Sequence, residues 1–190
     1  QILDFNIADR NGILYSSDGK STNISNLAWY KESNGGQKYF AEPFMSPVLN
    51  KLVIAVIMPV MDDNNNHIAS LVTLIPGNWL TDAIDDIVVG KTGYCYMLDE
   101  TGTTIATKDF ARVEKMENIG QEVKTDASLR SLADFEKMAV EIDEPSIGFY
   151  EYKGISKIAS YATMKTTGWT VIVQAPKDEF MGTVNELKLE

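Results

Sequence analysis

Only a few side chains in this chain have the chemistry to act on a substrate, and they stand apart from one another. His67 is the sole histidine, placed in a polar turn after Asn66. A Ser-His-Asp triad would have to use it, and no nucleophile elbow accompanies it. Cys95, the sole cysteine, lies in an apolar run and reads as a buried, inert thiol. Being single, it excludes an internal disulfide and a multi-cysteine metal site. The run Asp62-Asp63-Asn64-Asn65-Asn66 is rich in oxygen ligands. It lacks the ligand spacing and distant bidentate Glu of a calcium loop, so a solvated hairpin turn is expected. Neither Gly35-Gly36 nor Gly90 to Gly93 has the pattern of a phosphate-binding loop. The expectation is no enzyme: no catalytic residue, no metal and no cofactor.

A different kind of site is suggested by aromatic residues concentrated before the central strands of the first half: Trp29-Tyr30-Lys31, Tyr39-Phe40 and Phe44-Met45-Ser46. Aromatic walls beside a few polar atoms make small-molecule pockets. The same residues also pack helices onto sheets, and both readings stay open at this level.

The formal net charge of −10 over 190 residues, with no basic stripe, excludes nucleic acid as an expected partner and disfavours anionic lipid. A hydrophobic share of 44% and a charged share of 23% are those of a globular protein with a real core. The longest apolar run, Leu52 to Val60, is interrupted by Pro59 and is far shorter than the roughly 20 residues of a membrane span. No signal peptide precedes the opening run Ile2-Leu3-Asp4-Phe5-Asn6-Ile7. A start in mid-strand reads as a piece of a longer protein.

The elements that must position any site are written twice. Asp9-Arg10-Asn11-Gly12 leads into Ile13-Leu14-Tyr15-Ser16, and Asp99-Glu100-Thr101-Gly102 into Thr103-Thr104-Ile105-Ala106. Asp and Gly suit tight hairpins, because Asp bonds nearby amides and Gly accepts positive φ. After each hairpin come a helical or aromatic segment and then strand-like runs, closing at Pro76 in the first half and at Pro176 in the second. The fold class is therefore α+β, an antiparallel sheet flanked by helices and built twice. Trp79, Leu80, Ala83, Ile84, Ile87 and Val88 mark a helix between Asn78 and Gly90. Leu129, Leu132, Phe135, Met138 and Ile142 mark another, and Phe180, Met181, Val184 and Leu187 a third. The expected organisation is a first module over 1–77, a connecting helix over 78–90, a second module over 91–176 and a terminal helix over 177–190.

The stretch from Gly90-Lys91-Thr92-Gly93-Tyr94 through Asp99-Glu100-Thr101-Gly102 resembles the opening of the membrane-proximal module of the double Cache family. Trp29-Tyr30 and Pro59-Val60 before a polar turn resemble its membrane-distal module. These are PAS-like extracytoplasmic sensor domains of bacterial chemotaxis receptors, sensor histidine kinases and diguanylate cyclases. The resemblance covers nearly the whole chain. It implies a cell-membrane receptor whose distal module binds a small molecule and whose helices carry a displacement across the membrane. The family's long N-terminal helix is absent from this chain, and the helix from 177 would lead toward the membrane. The resemblance also allows a homodimer in the full receptor, or indirect sensing through a binding-protein partner.

By that resemblance the ligand-binding residues are Trp29 and Tyr30 as flat walls, Lys31 or Ser46 as the polar contact, Phe44, and Thr73 as a strand-borne floor. Should binding survive Trp29→Ala, the alternative location is beside Tyr96 and Tyr161 in the proximal module. Members that bind α-amino acids carry an Arg, a Tyr-x-Asp and an Asp where this chain has Leu27, Phe44 with Ser46, and about Leu74. A carboxylate favours a guanidinium and an ammonium favours a carboxylate, so the expected ligand is not an α-amino acid. Thr107-Lys108 stands where the proximal module often has His-Pro, and supports no ligand there.

Overall fold

The computed structural model describes residues 2–33, 36–47 and 49–179. The chain divides into two compact units, Gln1–Trp79 and Leu80–Glu190.

In the first unit, β1 (Asp4–Asp9), β2 (Ile13–Ser16) and β3 (Ser21–Asn23) form a meander, followed by α1 (Ala28–Ser33), β4 (Tyr39–Phe40) and β5 (Phe44–Met45). The long strands β6 (Leu52–Met61) and β7 (His67–Pro76) complete an antiparallel sheet of order β3-β2-β1-β7-β6-β4, with β5 also on β6. Pairing of Asn6 with Val72, and of Val72 with Ile57, puts these three residues on one face. Leu74 and Ala55 share it. That face is buried and packs with Trp29 and Tyr30 of α1. The opposite face shows Phe5, Ile7 and Tyr15, each 50% exposed, beside Met58.

The second unit begins with α2 (Trp79–Ile84) and repeats the plan. β8 (Val88–Val89) and the hairpin β9 (Gly93–Leu98) and β10 (Thr104–Thr107) come first. Helices α3 (Phe110–Glu114), α4 (Ile119–Glu122) and α5 (Arg130–Glu141) follow, then β11 (Ser146–Tyr152), β12 (Ile155–Thr163) and β13 (Thr170–Pro176). The sheet order is β10-β9-β13-β12-β11, with β8 on β9. In both sheets the hairpin's first strand lies between its partner and the unit's last strand, and the penultimate strand flanks the last. This is the α+β, twice-built architecture that the two hairpins anticipate.

Two elements differ in extent from the sequence reading. The helix expected over 78–90 is helical only from Trp79 to Ile84, and Val88 and Val89 pair with Tyr94 and Gly93 instead. Asp85 and Asp86 would put two negative charges on the C-terminal end of a longer helix, where the dipole opposes them. The β-branched pair Val88-Val89 suits a strand. α5 ends before Ile142, which is 39% exposed, and buries Glu136 within its apolar stripe. Beyond Glu179 the expected terminal helix lies outside the described residues.

Both Asp-x-x-Gly hairpins close in the same way. The Asp9 carboxylate accepts the amides of Asn11 (2.9 Å) and Ile13 (2.8 Å). Asp99 accepts those of Thr101 (2.8 Å) and Thr103 (2.9 Å). The run at Asp62 is a third copy. Asp62 takes the amides of Asn64 and Asn66 at 2.9 and 2.8 Å, and Asn65 supplies the positive φ of 63°. The carboxylate that invited a calcium reading is therefore occupied by its own backbone. Among the described residues no group of three or more His, Cys, Asp or Glu side chains could hold a metal.

The two hairpin glycines are not equivalent. Both adopt positive φ, 80° at Gly12 and 82° at Gly102. A Cβ on Gly12 would lie 2.7 Å from the Ser25 backbone, whereas one on Gly102 meets nothing nearer than Asn118 at 3.9 Å. Gly102→Ala should cost about 1 kcal/mol, the φ penalty alone, and Gly12→Ala roughly 2–4 kcal/mol. Denaturant unfolding of the two variants checks the order.

Candidate functional site

In the first unit a cavity of about 10 Å³ lies between the buried sheet face and α1. That is room for about one water. Its walls are Leu14, Ile24, Leu27, Trp29, Phe44, Ser46, Pro47, Val72 and Leu74. Trp29, Phe44 and Ser46 come together here as the sequence proposed. The Trp29 and Phe44 rings lie 5.6 Å apart at 38°, and the Ser46 hydroxyl accepts the Leu49 amide at 3.2 Å. The other three do not line the cavity. Tyr30 is buried and its hydroxyl donates to the Asp9 carbonyl at 2.8 Å, tying α1 to the first hairpin. Lys31 is exposed. Thr73 sits between Val72 and Leu74 on an alternating strand, so it belongs to the opposite face, paired with Phe5 and Val56.

Two buried polar groups lie at or near this apolar cavity, Trp29 in its wall and Asn6 on the same sheet face. The Trp29 indole Nε1–H is buried without a hydrogen-bond partner. So are both ends of the Asn6 side-chain amide, on a residue 1% exposed whose strand neighbour is the cavity residue Val72. Unpaired buried polar groups cost about 1–3 kcal/mol each. Asn6 was missed because it stands in an apolar-looking strand. Alternation reads Phe5 and Ile7 as the inward residues, whereas both are 50% exposed and Asn6 is the buried one.

All four positions aligned by resemblance with charged or tyrosine ligand contacts, Leu27, Phe44, Ser46 and Leu74, line this cavity. They are apolar apart from one hydroxyl, yet Trp29 and Asn6 still offer two kinds of donor and one acceptor.

The second unit buries a polar cluster beneath α5. Glu136 is 3% exposed, and the Tyr96 hydroxyl acts on its carboxylate as a hydrogen-bond donor. Removal from water pushes its pKa up to about 8, against the opposing pull of Arg112 and the Tyr96 hydroxyl. Arg112 is itself ion-paired with Glu117. The Gln174 side-chain amide is buried with neither end hydrogen-bonded. Cys95, on the other face of β9, is 2% exposed, and burial pushes its thiol up to about 11, which fits an inert side chain. His67 lies at the start of β7, its Nε2 3.0 Å from the Ser70 hydroxyl.

Two sheets of one plan, each with a buried face packed against helical residues, make a two-module α+β domain. Residues 2–184 match the Cache domain family, and the chain belongs to it. The methyl-accepting chemotaxis protein TlpA of Bacillus subtilis is 29% identical over 154 residues. That match takes in 75% of this chain and 19% of TlpA, so the chain spans about a fifth of that relative. Two solved structures share the fold. The extracellular domain of the histidine kinase mmHK1S-Z3 superposes with a TM-score of 0.70 at 10% identity, covering 98% of this chain and 77% of that one. The ligand-binding domain of the Pseudomonas aeruginosa amino acid chemoreceptor PctB, in complex with L-Arg, has a TM-score of 0.69 at 17% identity, covering 94% and 73%.

These comparisons correct one expectation. The lost Arg and Asp were taken to exclude α-amino acids, yet this fold was solved with L-Arg, L-Gln and asparagine, and with L-serine and L-leucine. Judging recognition from four aligned positions ignored neutral donors and acceptors such as Trp29 and Asn6.

Glu136 makes a pH prediction. Its folded pKa of about 8 lies above the ordinary 4.5, so between these values the native state holds the extra proton. Its contribution to stability is full below about pH 4.5 and falls as pH rises through about 8, by a few kcal/mol in all. The groups facing it are Tyr94 and Tyr96 on β9, Arg112 on α3, Glu117, Glu122 on α4 and Tyr150 on β11. Glu136→Gln should flatten this slope, so the variant overtakes the parent in unfolding free energy between pH 5 and pH 9.

Proposed function

We propose that the chain is the extracytoplasmic sensor of a membrane-spanning chemotaxis receptor, and that its first module binds an α-amino acid in the Trp29 cavity. The observation that carries this is the unpartnered Trp29 Nε1–H in the wall of a small apolar cavity, with the Asn6 amide on the same buried face. The indole N–H and the Asn6 Nδ2 suit a ligand carboxylate, and the Asn6 Oδ1 suits an ammonium. Leu14, Ile24, Val72 and Leu74 suit an apolar ligand side chain. PctB, solved with L-Arg and L-Gln, supports the ligand class, and TlpA supports the receptor class. No helix among the described residues is long and apolar enough to cross a membrane, so anchoring is assigned to the rest of the receptor. The role assigned is binding rather than catalysis.

A chamber the size of a water must open to admit an amino acid. The opening is assigned to the short strand β5, paired with β6 through Phe44–Val53 and Met45–Leu52 and flanked by the Ser46–Lys51 hydrogen bond. Ligand then favours an opened arrangement by binding it more tightly, and this difference in affinity is what drives the signal.

Calorimetry of the chain against the common L-amino acids should give binding for at least one with an apolar side chain. Trp29→Phe, which keeps the ring packing and removes the N–H, should weaken it about tenfold, the value of one hydrogen bond. If no amino acid binds at millimolar concentration, the reading fails and indirect sensing through a binding protein takes its place.

A further inference from the structure

The two polar groups of the first module's site are held in different ways. Asn6 is placed by the sheet itself: it stands opposite Val72, Val72 opposite Ile57, and Ile57 opposite Tyr39 of β4. These four residues form one row across the buried face. Trp29 is instead carried by α1, a helix of six residues. A helix so short is not stable by itself, so its position comes from what ties it to the rest of the unit. Two side-chain hydrogen bonds do this. The Tyr30 hydroxyl donates to the Asp9 carbonyl at 2.8 Å, at the end of β1. Across the sheet, beyond β7 and β6, the Tyr39 hydroxyl donates to the Glu32 carboxylate. An O–H donating to a carboxylate is among the stronger hydrogen bonds. The Tyr39 ring packs on the first unit's core, so its hydroxyl is a fixed point for α1.

We propose that Tyr39 and Glu32 are positioning residues for the amino-acid site, setting the Trp29 Nε1–H at a fixed separation from the Asn6 amide. This rests on the reading of the Trp29 cavity as the ligand site and adds two residues that touch no ligand. An α-amino acid carries its carboxylate and ammonium on one carbon, so the groups that meet them need matched spacing. Asn6 and Tyr39 share a sheet row, and Glu32 transfers that ruler to the helix bearing Trp29. Phe44 also packs on the Trp29 ring, at 5.6 Å, but it belongs to β5, the strand assigned to opening. The tie to β4 is the one that persists while β5 moves.

The test joins ligand binding to a readout on Trp29 itself. Tyr39→Phe keeps the ring and the strand pairing and removes the hydroxyl, whereas Glu32→Gln keeps an acceptor. In calorimetry with the common L-amino acids of apolar side chain, Tyr39→Phe should weaken binding about fivefold, and Glu32→Gln less. Tyr39→Phe added to Trp29→Phe should weaken it no further, because the pair acts through Trp29. In the ligand-free protein the Trp29 indole N–H signal is one of three and is identified by its loss in Trp29→Phe. In Tyr39→Phe that signal should shift and exchange faster with solvent. Unchanged affinity in Tyr39→Phe would overturn the proposal. So would an equal further loss in the Trp29→Phe background, or an indole signal unmoved by Tyr39→Phe. If no amino acid binds the parent protein, the ligand reading fails, and the indole signal still decides whether the pair positions Trp29.

Discussion

The structure depends on a carboxylate that takes the amides of its own turn. Asp9 and Asp99 each accept two backbone N–H groups, and a positive-φ glycine completes the reversal. That local closure sets the register of β1 with β2 and of β9 with β10. Register in turn decides which alternate side chains look inward, since a slip of one residue would turn every side chain to the other face. Asn6 and Val72 in one sheet, and Tyr96 and Gln174 in the other, reach their buried positions through this constraint. Tyr30 reinforces the first turn by donating to the Asp9 carbonyl, and Asn118 reinforces the second by donating to the Thr101 carbonyl at 3.0 Å.

Against this well-satisfied frame, the unsatisfied atoms are informative by their location. Asn6 and Trp29 carry them in the first unit, and Gln174 with the hydroxyls of Thr104 and Thr107 in the second. Replacing one of them by an apolar residue of similar shape would relieve a penalty of about 1–3 kcal/mol.

Much of the fold was legible because its signals are local. Asp-x-x-Gly marks a hairpin whatever surrounds it, and the alternation of Trp169, Val171 and Val173 marks a strand through its period of two. The extent of α2 was less legible, because Ile87 and Val88 fit a helical stripe until strand β9 is present to pair with Val88 and Val89. The candidate site was legible in part. Trp29, Phe44 and Ser46 carry an aromatic and polar composition that stands out in the chain. Thr73 was misplaced by one position on β7, where Val72 and Leu74 face inward. Asn6 was invisible as a site residue, since it lies within a run that pattern alone assigns to surface or core.

The two modules differ in a way that follows from their coverings. The first cavity is covered by a six-residue helix and the short strand β5. In the second module a twelve-residue helix seats Phe135 against Gly148, where a Cβ would come within 2.7 Å of the ring. Such a lid moves as a body or not at all. The segment after β13 is tied to the entrance of this module, where the Glu179 carboxylate accepts the amides of Lys91 and Thr92 at 2.7 and 2.9 Å. The second module is thus closely packed, with Glu179 held at the turn between β8 and β9, where the first module has shorter covering elements.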